Sequence, residues 1–336
     1  MSADPTAPIG PGRIMELATS YWESRCLLAA NRLGVFTALA DGPLSVDALA
    51  ARLGVAARHL GLLCRACTGL GLLEDDAAGF RNAPASQLFL VPGTDAFLGD
   101  ALRYAADMYE PWGRLEDGVT TGRPTLAAAE YTGADPDRTR NFVYGMHRRA
   151  LGIGRVLTAL VDLAGRRRLL DVGGGPGTYA ALFTGANPGL HATVLDLPDV
   201  VALADEILAT LDARGRVETL PGDYHTTPFP AGHDVVLISG VLHRESEATC
   251  RALITRAREA LVAGGLLVVA DVFTDAGGAT PAFAALFGVN MMLSAVDGGV
   301  HADADVAQWM TDAGLASVER RPFPPPMPHR IVLGTR

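Results

Sequence analysis

The sequence predicts an α/β protein in which a helical N-terminal part precedes a doubly wound, largely parallel sheet. From residue 168 onward, short apolar runs alternate with helical segments, in the rhythm of βαβ units: RLLDVGG, ATVLDLPD, RVETLPGD, DVVLISG and LLVVADVF. Residues 13–90 instead carry apolar side chains at helical spacing. With 336 residues, of which 49% are hydrophobic, the chain is large enough for two domains and a sizeable core.

The helical part has the outline of a winged helix. Helical patterns (RIMELATSYWESRCLLAANRLGVFTAL, SVDALAARLGV and AARHLGLLCRACTGLGLLE) are followed by a hairpin-like segment, DDAAGFRNAP. A DNA-binding function is therefore an alternative, but the candidate recognition helix is too apolar and too weakly basic to bind phosphates. Contact with another subunit fits this surface better. The lone Cys64–Cys67 pair lacks a second pair at metal-finger spacing, so we expect two core cysteines.

Further helices are expected between residues 95 and 165, with a turn-rich break at GADPDRT (133–139). After the last βαβ unit, ASVERRPFP and HRIVLGTR predict two strands that extend one edge of the sheet.

Composition excludes several classes of protein. The net charge of −9 argues against nucleic-acid and anionic-membrane partners, and the basic run Arg166–Arg168 is expected to be a solvated linker. No apolar run approaches the roughly 18–20 residues that span a bilayer. Residues 1–12 are expected to form a flexible tail and do not resemble a secretory signal. The four cysteines are too few for a disulfide framework, which favours a reduced, cytoplasmic protein.

A glycine-rich turn, LLDVGGGPGTYAALF, follows the first predicted strand and predicts a nucleotide site. Gly173, Gly175 and Gly177 allow a tight turn and a close approach of ligand. About twenty residues later, Asp196 ends the next strand, where a carboxylate can bind ribose hydroxyls. Asp171 precedes the glycines and would repel a pyrophosphate, whereas it can hold an ammonium group. This favours S-adenosylmethionine over NAD, although a dehydrogenase stays an alternative.

DVGGGPGT, LDLPDV, GDY and the strand-end histidine of VLHRE occur in this order, and from about residue 13 onward the chain resembles bacterial and plant small-molecule O-methyltransferases. The resemblance implies a homodimer with a winged-helix-like dimerisation domain (13–100), a helical linker and pocket wall (101–165) and a Rossmann-like catalytic domain (166–336). It assigns S-adenosylmethionine to Asp171, Gly173, Gly175, Asp196, Leu197, Gly222, Asp223, Tyr224, Ser239 and Gly240.

The resemblance also places the helix FVYGMHRRALG (142–152) beside the cofactor. Met146, His147 and Arg149 are then candidates for substrate binding, with Arg149 or His147 meeting a carboxylate. Met292 is a further candidate for the pocket wall. Each of the four is alternatively a packing or surface residue.

In that family the strand-end histidine is the general base that deprotonates a phenol, and Asp-Trp usually follows it. Two acidic residues orient the histidine. Here His243 is followed by Arg244 and Glu245, and the next strand supplies Asp271 as one orienting acid. In the later Gly-Gly loop, His301 stands where the family normally has Glu.

This departure predicts a metal site formed by His243, Glu245 and His301. Two imidazoles and a carboxylate suit divalent or ferric iron and are tolerated by zinc. In an extended segment, the first two side chains would project from the same face. The family resemblance extends to α-keto acid C-methyltransferases, which implies metal-assisted methylation of the β-carbon of a 2-keto acid.

Other interpretations stay open. His301 could be a solvated loop residue, and Glu245 an acid in the first turn of the following helix. Asp297 is an alternative carboxylate, or a turn residue before the glycines. Metal-independent O-methylation of a phenolic or hydroxyl small molecule, with His243 as base and Asp271 as its orienter, is the competing reaction.

Overall fold

The computed structural model describes residues 9–94, 96–211, 213 and 215–336. The chain divides into two compact units, one ending at Ala106 and the other comprising Asp107–Arg336. The expected flexible tail, residues 1–12, falls largely outside the described residues, and the first helix already begins at Pro11.

The N-terminal unit consists of helices and one short hairpin. The hairpin is bridged to Leu44 through Phe80, so it packs beside the preceding helix pair in a winged-helix arrangement. The elements in chain order are α1 (Pro11–Thr19), α2 (Tyr21–Leu33), α3 (Val35–Ala38), α4 (Val46–Leu53), α5 (Ala57–Gly69), β1 (Leu73–Asp76), β2 (Gly79–Asn82), α6 (Pro84–Phe89) and α7 (Gly99–Asp107).

The long helical pattern at the start of this unit is divided into three helices. Ser20 separates α1 from α2, and Gly34 ends α2 in the left-handed conformation, with φ at 79°. Large apolar side chains on α1 and α2 are exposed: Ile14, Met15, Leu17, Tyr21 and Trp22. The expectation for the CxxC pair is confirmed, because Cys64 and Cys67 are fully buried, free thiols in the core of this unit.

The second unit contains a seven-stranded sheet between helices. Its elements are α8 (Tyr109–Trp112), α9 (Leu115–Thr121), a 3₁₀ turn (Ala128–Tyr131), α10 (Pro136–Leu160), β3 (Arg168–Val172), α11 (Thr178–Ala186), β4 (His191–Asp196), α12 (Pro198–Thr210), β5 (Val217–Pro221), β6 (His233–Ser239), a 3₁₀ turn (Leu242–Arg244), α13 (Glu247–Ala260), β7 (Leu261–Val272), α14 (Ala282–Met292), α15 (Asp303–Asp312), β8 (Ala316–Pro322) and β9 (His329–Thr335).

The strand order is β5-β4-β3-β6-β7-β9-β8, with β3 to β7 parallel and β9 antiparallel to both of its neighbours. The predicted doubly wound sheet and its two added edge strands are therefore confirmed. Large apolar clusters cover the two faces of the sheet. Because parallel strands end at the same edge, the loops after β3, β4, β5, β6 and β7 lie together there.

The turn-rich segment GADPDRT contains a helix start. Asp135 accepts hydrogen bonds from the backbone amides of Asp137 and Arg138, at 3.0 and 3.1 Å, and so caps α10. Among the described residues, no helix is long and apolar enough to cross a membrane.

Candidate functional site

A histidine–aspartate pair lies where β6 and β7 end. His243 Nδ1 is 2.6 Å from Asp271 Oδ1, and both side chains are largely buried. The same carboxylate oxygen accepts the backbone amide of Val272 at 2.7 Å. Since an ionised carboxylate can only accept, Nδ1 carries the proton and the neutral imidazole has its lone pair on Nε2. The ring edge of Phe287 on α14 contacts the imidazole at a centroid distance of 4.9 Å.

His243 lies on a 3₁₀ turn, and this is a correction to the extended segment expected from the sequence. Gly240 adopts a left-handed φ of 68° directly after β6, which ends the strand. The chain then turns over Leu242–Arg244, and Ser246 caps α13. We call residues Leu242–Glu245 the catalytic turn, because they carry His243, the general base expected from the family resemblance. In a turn of this kind, His243 and Glu245 do not project from one face.

The glycine loop between β3 and α11 forms a cradle at the same edge. Gly173, Gly175 and Gly177 all have positive φ, at 64°, 54° and 69°. A Cβ on Gly173 would lie 2.7 Å from a methyl group of Val241, so only glycine fits there. The backbone therefore comes close to any ligand that occupies this loop.

Asp171 lies beneath this loop and is fully buried. Burial, followed by repulsion from Asp196, raises the pKa of Asp171 to about 7, and the backbone amide of Ala180 offsets part of this rise. Neither carboxylate oxygen has a hydrogen-bond partner of good geometry among the described residues. A buried acid without a partner favours a cationic ligand group nearby, because such a group would stabilise its charged form.

Asp196 ends β4 beside the glycine loop. Its two oxygens accept the backbone amides of Gly175 and Leu197, both at 2.7 Å, and Gly222 donates its amide to the Asp196 carbonyl at 2.8 Å. Burial raises the pKa of Asp196. The carboxylate is thus held at the mouth of the glycine loop, where it has further lone pairs for hydroxyl donors.

The loop after β5 joins the site through Tyr224. Its hydroxyl donates to Glu245 Oε1 at 2.6 Å, and His225 Nε2 lies 3.4 Å from the same oxygen. Burial and the adjacent Glu245 carboxylate raise the pKa of Tyr224. Asp223 accepts the backbone amide of His225 at 2.8 Å and so closes a local turn.

Ser239 and Gly240, at the end of β6, complete the same edge. Burial raises the pKa of Tyr179, on the first turn of α11, to about 12, and the hydroxyl of Ser239 bonds to Tyr179. Gly240 donates its amide to the Ala270 carbonyl at 3.0 Å. The structure thus brings the loops that carry the ten predicted cofactor residues to one edge of the sheet.

His301 is directed at the backbone of the catalytic turn. Its Nε2 is 3.1 Å from the Leu242 carbonyl oxygen and 3.0 Å from that of Glu245. It is therefore not a solvated loop residue. Its ring also meets Trp309 of α15 edge-on, at 5.1 Å between centroids.

The predicted metal site is wrong in its geometry. His301 uses its Nε2 for two carbonyl oxygens, and Glu245 is occupied by Tyr224 instead of turning towards His243. Glu245 also precedes the cap of α13, so it is not an acid of the helix's first turn. Asp297 is exposed in the turn before Gly298. Among the described residues, no cluster of three metal-ligating side chains occurs.

The four candidate substrate residues occupy different environments. His147 is buried on α10, and its Nδ1 lies 2.8 Å from the Thr178 hydroxyl at the start of α11. Arg149 is exposed, and its guanidinium makes no hydrogen bond or ion pair with the described part of the chain. Met146 and Met292 are half-buried, and Met292 lies near Gly118. His147 therefore contacts the residue that directly follows the glycine loop, and the Arg149 side chain is exposed.

Two contacts at the site were not predicted from the sequence. Arg244 Nη2 donates to the Tyr131 hydroxyl at 2.9 Å, and that hydroxyl donates to the Ser294 carbonyl at 3.0 Å. His329 on β9 lies opposite Val272 on β7, and Val272 directly follows Asp271. The Arg244–Tyr131 contact could not be predicted from the sequence, because its partners are far apart in the chain. The position of His329 could have been predicted, because this histidine begins the last predicted strand.

Comparisons with known proteins agree with this geometry. An O-methyltransferase domain matches residues 112–316, and an O-methyltransferase dimerisation domain matches residues 15–92. The chain belongs to the O-methyltransferase family. It is an S-adenosylmethionine-dependent methyltransferase, as the resemblance implied.

Similar proteins cover almost the whole enzyme. The 3-hydroxy-5-methyl-1-naphthoate 3-O-methyltransferase of Streptomyces sahachiroi is 34% identical, with 100% of this chain and 98% of the relative covered. The acetylserotonin O-methyltransferase of Mus musculus is 35% identical, with coverage of 93% and 86%. The crystal structure of human N-acetylserotonin methyltransferase in complex with SAM has a TM-score of 0.87 and 24% identity over 99% of each chain, which supports the fold.

The methyltransferase should lose stability in acid partly through His329. Burial lowers the pKa of His329 from 6.5 to about 4, and its Nδ1 has no partner among the described residues. Unfolded chains take up this proton near pH 6.5, so the stability that neutral His329 contributes is complete above pH 6.5 and is lost as the pH falls towards 4. The loss is at most about 3 kcal/mol.

We expect His329→Phe, which keeps a ring beside Phe323, to unfold with a smaller dependence on pH between 6.5 and 4 than the parent enzyme. Urea unfolding at several pH values measures this, with exposed His191→Gln as the control that keeps the parental slope. Parallel curves for parent and His329→Phe would contradict the assignment.

Proposed function

We propose that the enzyme transfers a methyl group from S-adenosylmethionine to a hydroxyl oxygen of an aromatic small molecule, with His243 as general base. The observation that carries this is the 2.6 Å contact between His243 Nδ1 and Asp271 Oδ1. It leaves Nε2 of His243 as the acceptor of the substrate proton.

The pair acts in two ways. Asp271 holds the imidazole in one tautomer and one orientation, and its negative charge stabilises the imidazolium that forms when Nε2 takes the hydroxyl proton. Burial makes this attraction stronger than it would be in water. Phe287 shields the imidazole from one side and would limit the access of water.

The cofactor role of the glycine loop is supported by its fit. Gly173 leaves no room for a Cβ, and the carboxylate of Asp171, which has no hydrogen-bond partner of good geometry in the described part of the chain, suits the ammonium and sulfonium groups of the cofactor. Asp196 and Leu197 are proposed for the ribose, Gly222, Asp223 and Tyr224 for the adenine, and Ser239 and Gly240 for the floor beneath the cofactor. When bound, S-adenosylmethionine supplies an electrophilic methyl group whose bond to sulfur breaks with the electron pair remaining on sulfur.

Metal-assisted C-methylation of a 2-keto acid is not retained. Its three proposed ligands contact different partners, and the Streptomyces sahachiroi and Mus musculus relatives, each about a third identical to the chain, are named O-methyltransferases. O-methylation, the competing reaction, needs only the histidine–aspartate pair.

The substrate we propose is a hydroxylated aromatic compound with an anionic group. Arg149 has no hydrogen-bond or ion-pair partner in the described part of the chain. Its positive charge acts to lower the pKa of Tyr179 and of His329, and Asp271 of the catalytic pair acts on the pKa of the same two residues. The Streptomyces relative is named for a hydroxynaphthoate, which combines a hydroxyl group with a carboxylate. Met146 and Met292 are proposed as apolar walls.

We also propose a homodimer formed through the apolar face of α1 and α2. Trp22, 59% exposed, and Met15, 63% exposed, are unfavourable on a monomer surface. The match to a dimerisation domain over residues 15–92 includes both.

Light scattering should therefore give about twice the 35.1 kDa chain mass at micromolar concentration. Met15→Asp together with Trp22→Asp should shift the mass towards the monomer, because two charges would be buried in the interface. The control variant Arg13→Asp, which lies on α1 like Met15, should stay dimeric. A monomeric parent protein would refute the proposal.

Loss of the general base should abolish most of the rate. We expect His243→Ala to lower kcat by about 10²- to 10⁴-fold and Asp271→Asn by at least about 10-fold. Affinity for S-adenosylmethionine, measured by calorimetry, should change little in both. Rates with 3-hydroxy-2-naphthoate and 2-naphthol as acceptors, with and without EDTA, provide the test. Full activity of His243→Ala, or loss of activity in EDTA, contradicts the mechanism.

Affinity for S-adenosylmethionine should increase with pH through Asp171. The pKa of Asp171 is about 7 in the absence of ligand, and a cationic ligand favours the ionised carboxylate. Binding must therefore release a proton below about pH 7, so the affinity is lost as the pH falls, by up to about tenfold per pH unit. Calorimetry from pH 5.5 to 8.5 in buffers of different ionisation enthalpy measures both effects.

Asp171→Asn should remove this pH dependence, and Asp234→Asn, at the opposite edge of the sheet, should keep it. An affinity of the parent enzyme that is flat across pH 7 would show that Asp171 does not contact the charged part of the cofactor.

A further inference from the structure

The catalytic turn is held by the segment Gly299–His301 through three of its four carbonyl groups. Gly299 donates its amide to the His243 carbonyl at 2.9 Å. His301 Nε2 reaches the carbonyls of Leu242 and Glu245, at 3.1 and 3.0 Å. These two carbonyls flank His243 and Arg244, so one imidazole joins both ends of the turn that carries the general base.

The tautomer of His301 follows from its partners. Carbonyl oxygens only accept hydrogen bonds, so Nε2 must carry a proton and shares it between the two oxygens. Cys250 Sγ, fully buried on α13, lies 3.4 Å from Nε2 and approaches the same two carbonyls at 3.5 and 3.7 Å. Burial raises the pKa of Cys250 to about 12, so the thiol stays protonated and provides a second, weak donor.

The imidazole is itself fixed from two directions. The Trp309 ring meets it edge-on, and the His301 carbonyl accepts the amide of Thr274, just after β7, at 3.1 Å. Since Thr274 lies three residues beyond Asp271, His301 connects the strand that supplies the orienting acid to the turn that supplies the base.

We propose that His301 is a positioning residue that sets the catalytic turn, and through it the general base, by donating one proton to two carbonyls. A glutamate at this position, as expected from the family resemblance, has no proton to donate when ionised. Its charge would face two carbonyl oxygens and repel them. Position 301 therefore acts on the backbone of the turn, and Asp271 alone orients the imidazole of His243.

The inference rests on the proposed role of His243 as base. A displacement of the base by a fraction of an ångström to 1 Å is sufficient to reduce the rate substantially, because proton transfer requires hydrogen-bond geometry. In the described part of the chain, His301 bonds to the backbone of the turn, and Tyr224 meets only the side chain of Glu245, so the cofactor loops should change little.

Three substitutions test the proposal. His301→Ala removes the donor, and we expect kcat to fall by about 10- to 100-fold with the acceptor 3-hydroxy-2-naphthoate. His301→Glu should be no more active than His301→Ala. His301→Gln, whose amide carries two N–H donors, should recover most of the lost rate. The dissociation constant of S-adenosylmethionine should stay within about twofold in all three, and exposed His191→Ala should behave like the parent enzyme.

Hydrogen exchange provides a readout that does not depend on an acceptor. Peptides containing the Gly299 and Glu245 amides should exchange faster in His301→Ala and His301→Glu, and should keep their protection in His301→Gln. A fully active or more active His301→Glu, or a His301→Gln that is no better than His301→Ala in rate and protection, would overturn the proposal. If His243→Ala is inactive while all His301 variants are active, only the role of His301 fails; an active His243→Ala removes the proposed function itself.

Discussion

The parallel ladder from β5 to β7 is the constraint on which the rest of the site depends. Its register pairs Asp171 with Leu237 and Val172 with Leu195, so the strands end together and their following loops emerge at one edge. The backbone bonds that fix this register are buried between two apolar clusters and cannot be exchanged for water. The glycine loop, the carboxylate of Asp196 and the histidine–aspartate pair are therefore brought together by where the strands end, and hydrogen bonds between neighbouring groups hold that arrangement.

Four acidic residues lie at this edge of the sheet, and their surroundings differ. Asp171 has no hydrogen-bond partner of good geometry in the described part of the chain, Asp196 accepts two backbone amides, and Glu245 is occupied by Tyr224. Asp271 is paired with His243. The acid without a partner lies under the loop where a cationic ligand would be held, and the acid beside the imidazole can stabilise a positive charge that appears only during reaction. In the proposed mechanism the same residue type thus serves binding and catalysis, and the difference lies in how far each carboxylate is desolvated and in its hydrogen-bond partner.

Much of this could be predicted from the sequence, because it follows from backbone requirements. Apolar runs predicted the strands, and the glycines of the first loop predicted a turn with positive φ. The family resemblance placed Asp271, supplied by the next strand, beside His243 as its orienting acid. The direction of the His301 and Glu245 side chains could not be predicted. It depends on the left-handed Gly240, which turns the chain before His243, and on the bond from Gly299 to the His243 carbonyl, which joins segments about 55 residues apart. The sequence showed three metal-ligating residue types but not where their donor atoms point.

A histidine at position 301, where the family resemblance implies an acid, also changes the electrostatics of the proposed reaction. A phenol that gives its proton to His243 becomes more negative as the base becomes positive, close to the charge of Asp271. A second carboxylate would repel the developing phenolate in a low-dielectric pocket, at the same time as it attracted the imidazolium. A neutral N–H donor avoids that repulsion and still holds the backbone of the turn. Asp271 then supplies all of the negative charge that stabilises the imidazolium. Its Oδ2 is buried and has no hydrogen-bond partner in the described part of the chain, so few other donors compete for this charge. In the proposed reaction, one buried carboxylate with few competing hydrogen bonds is therefore sufficient to orient and stabilise the base.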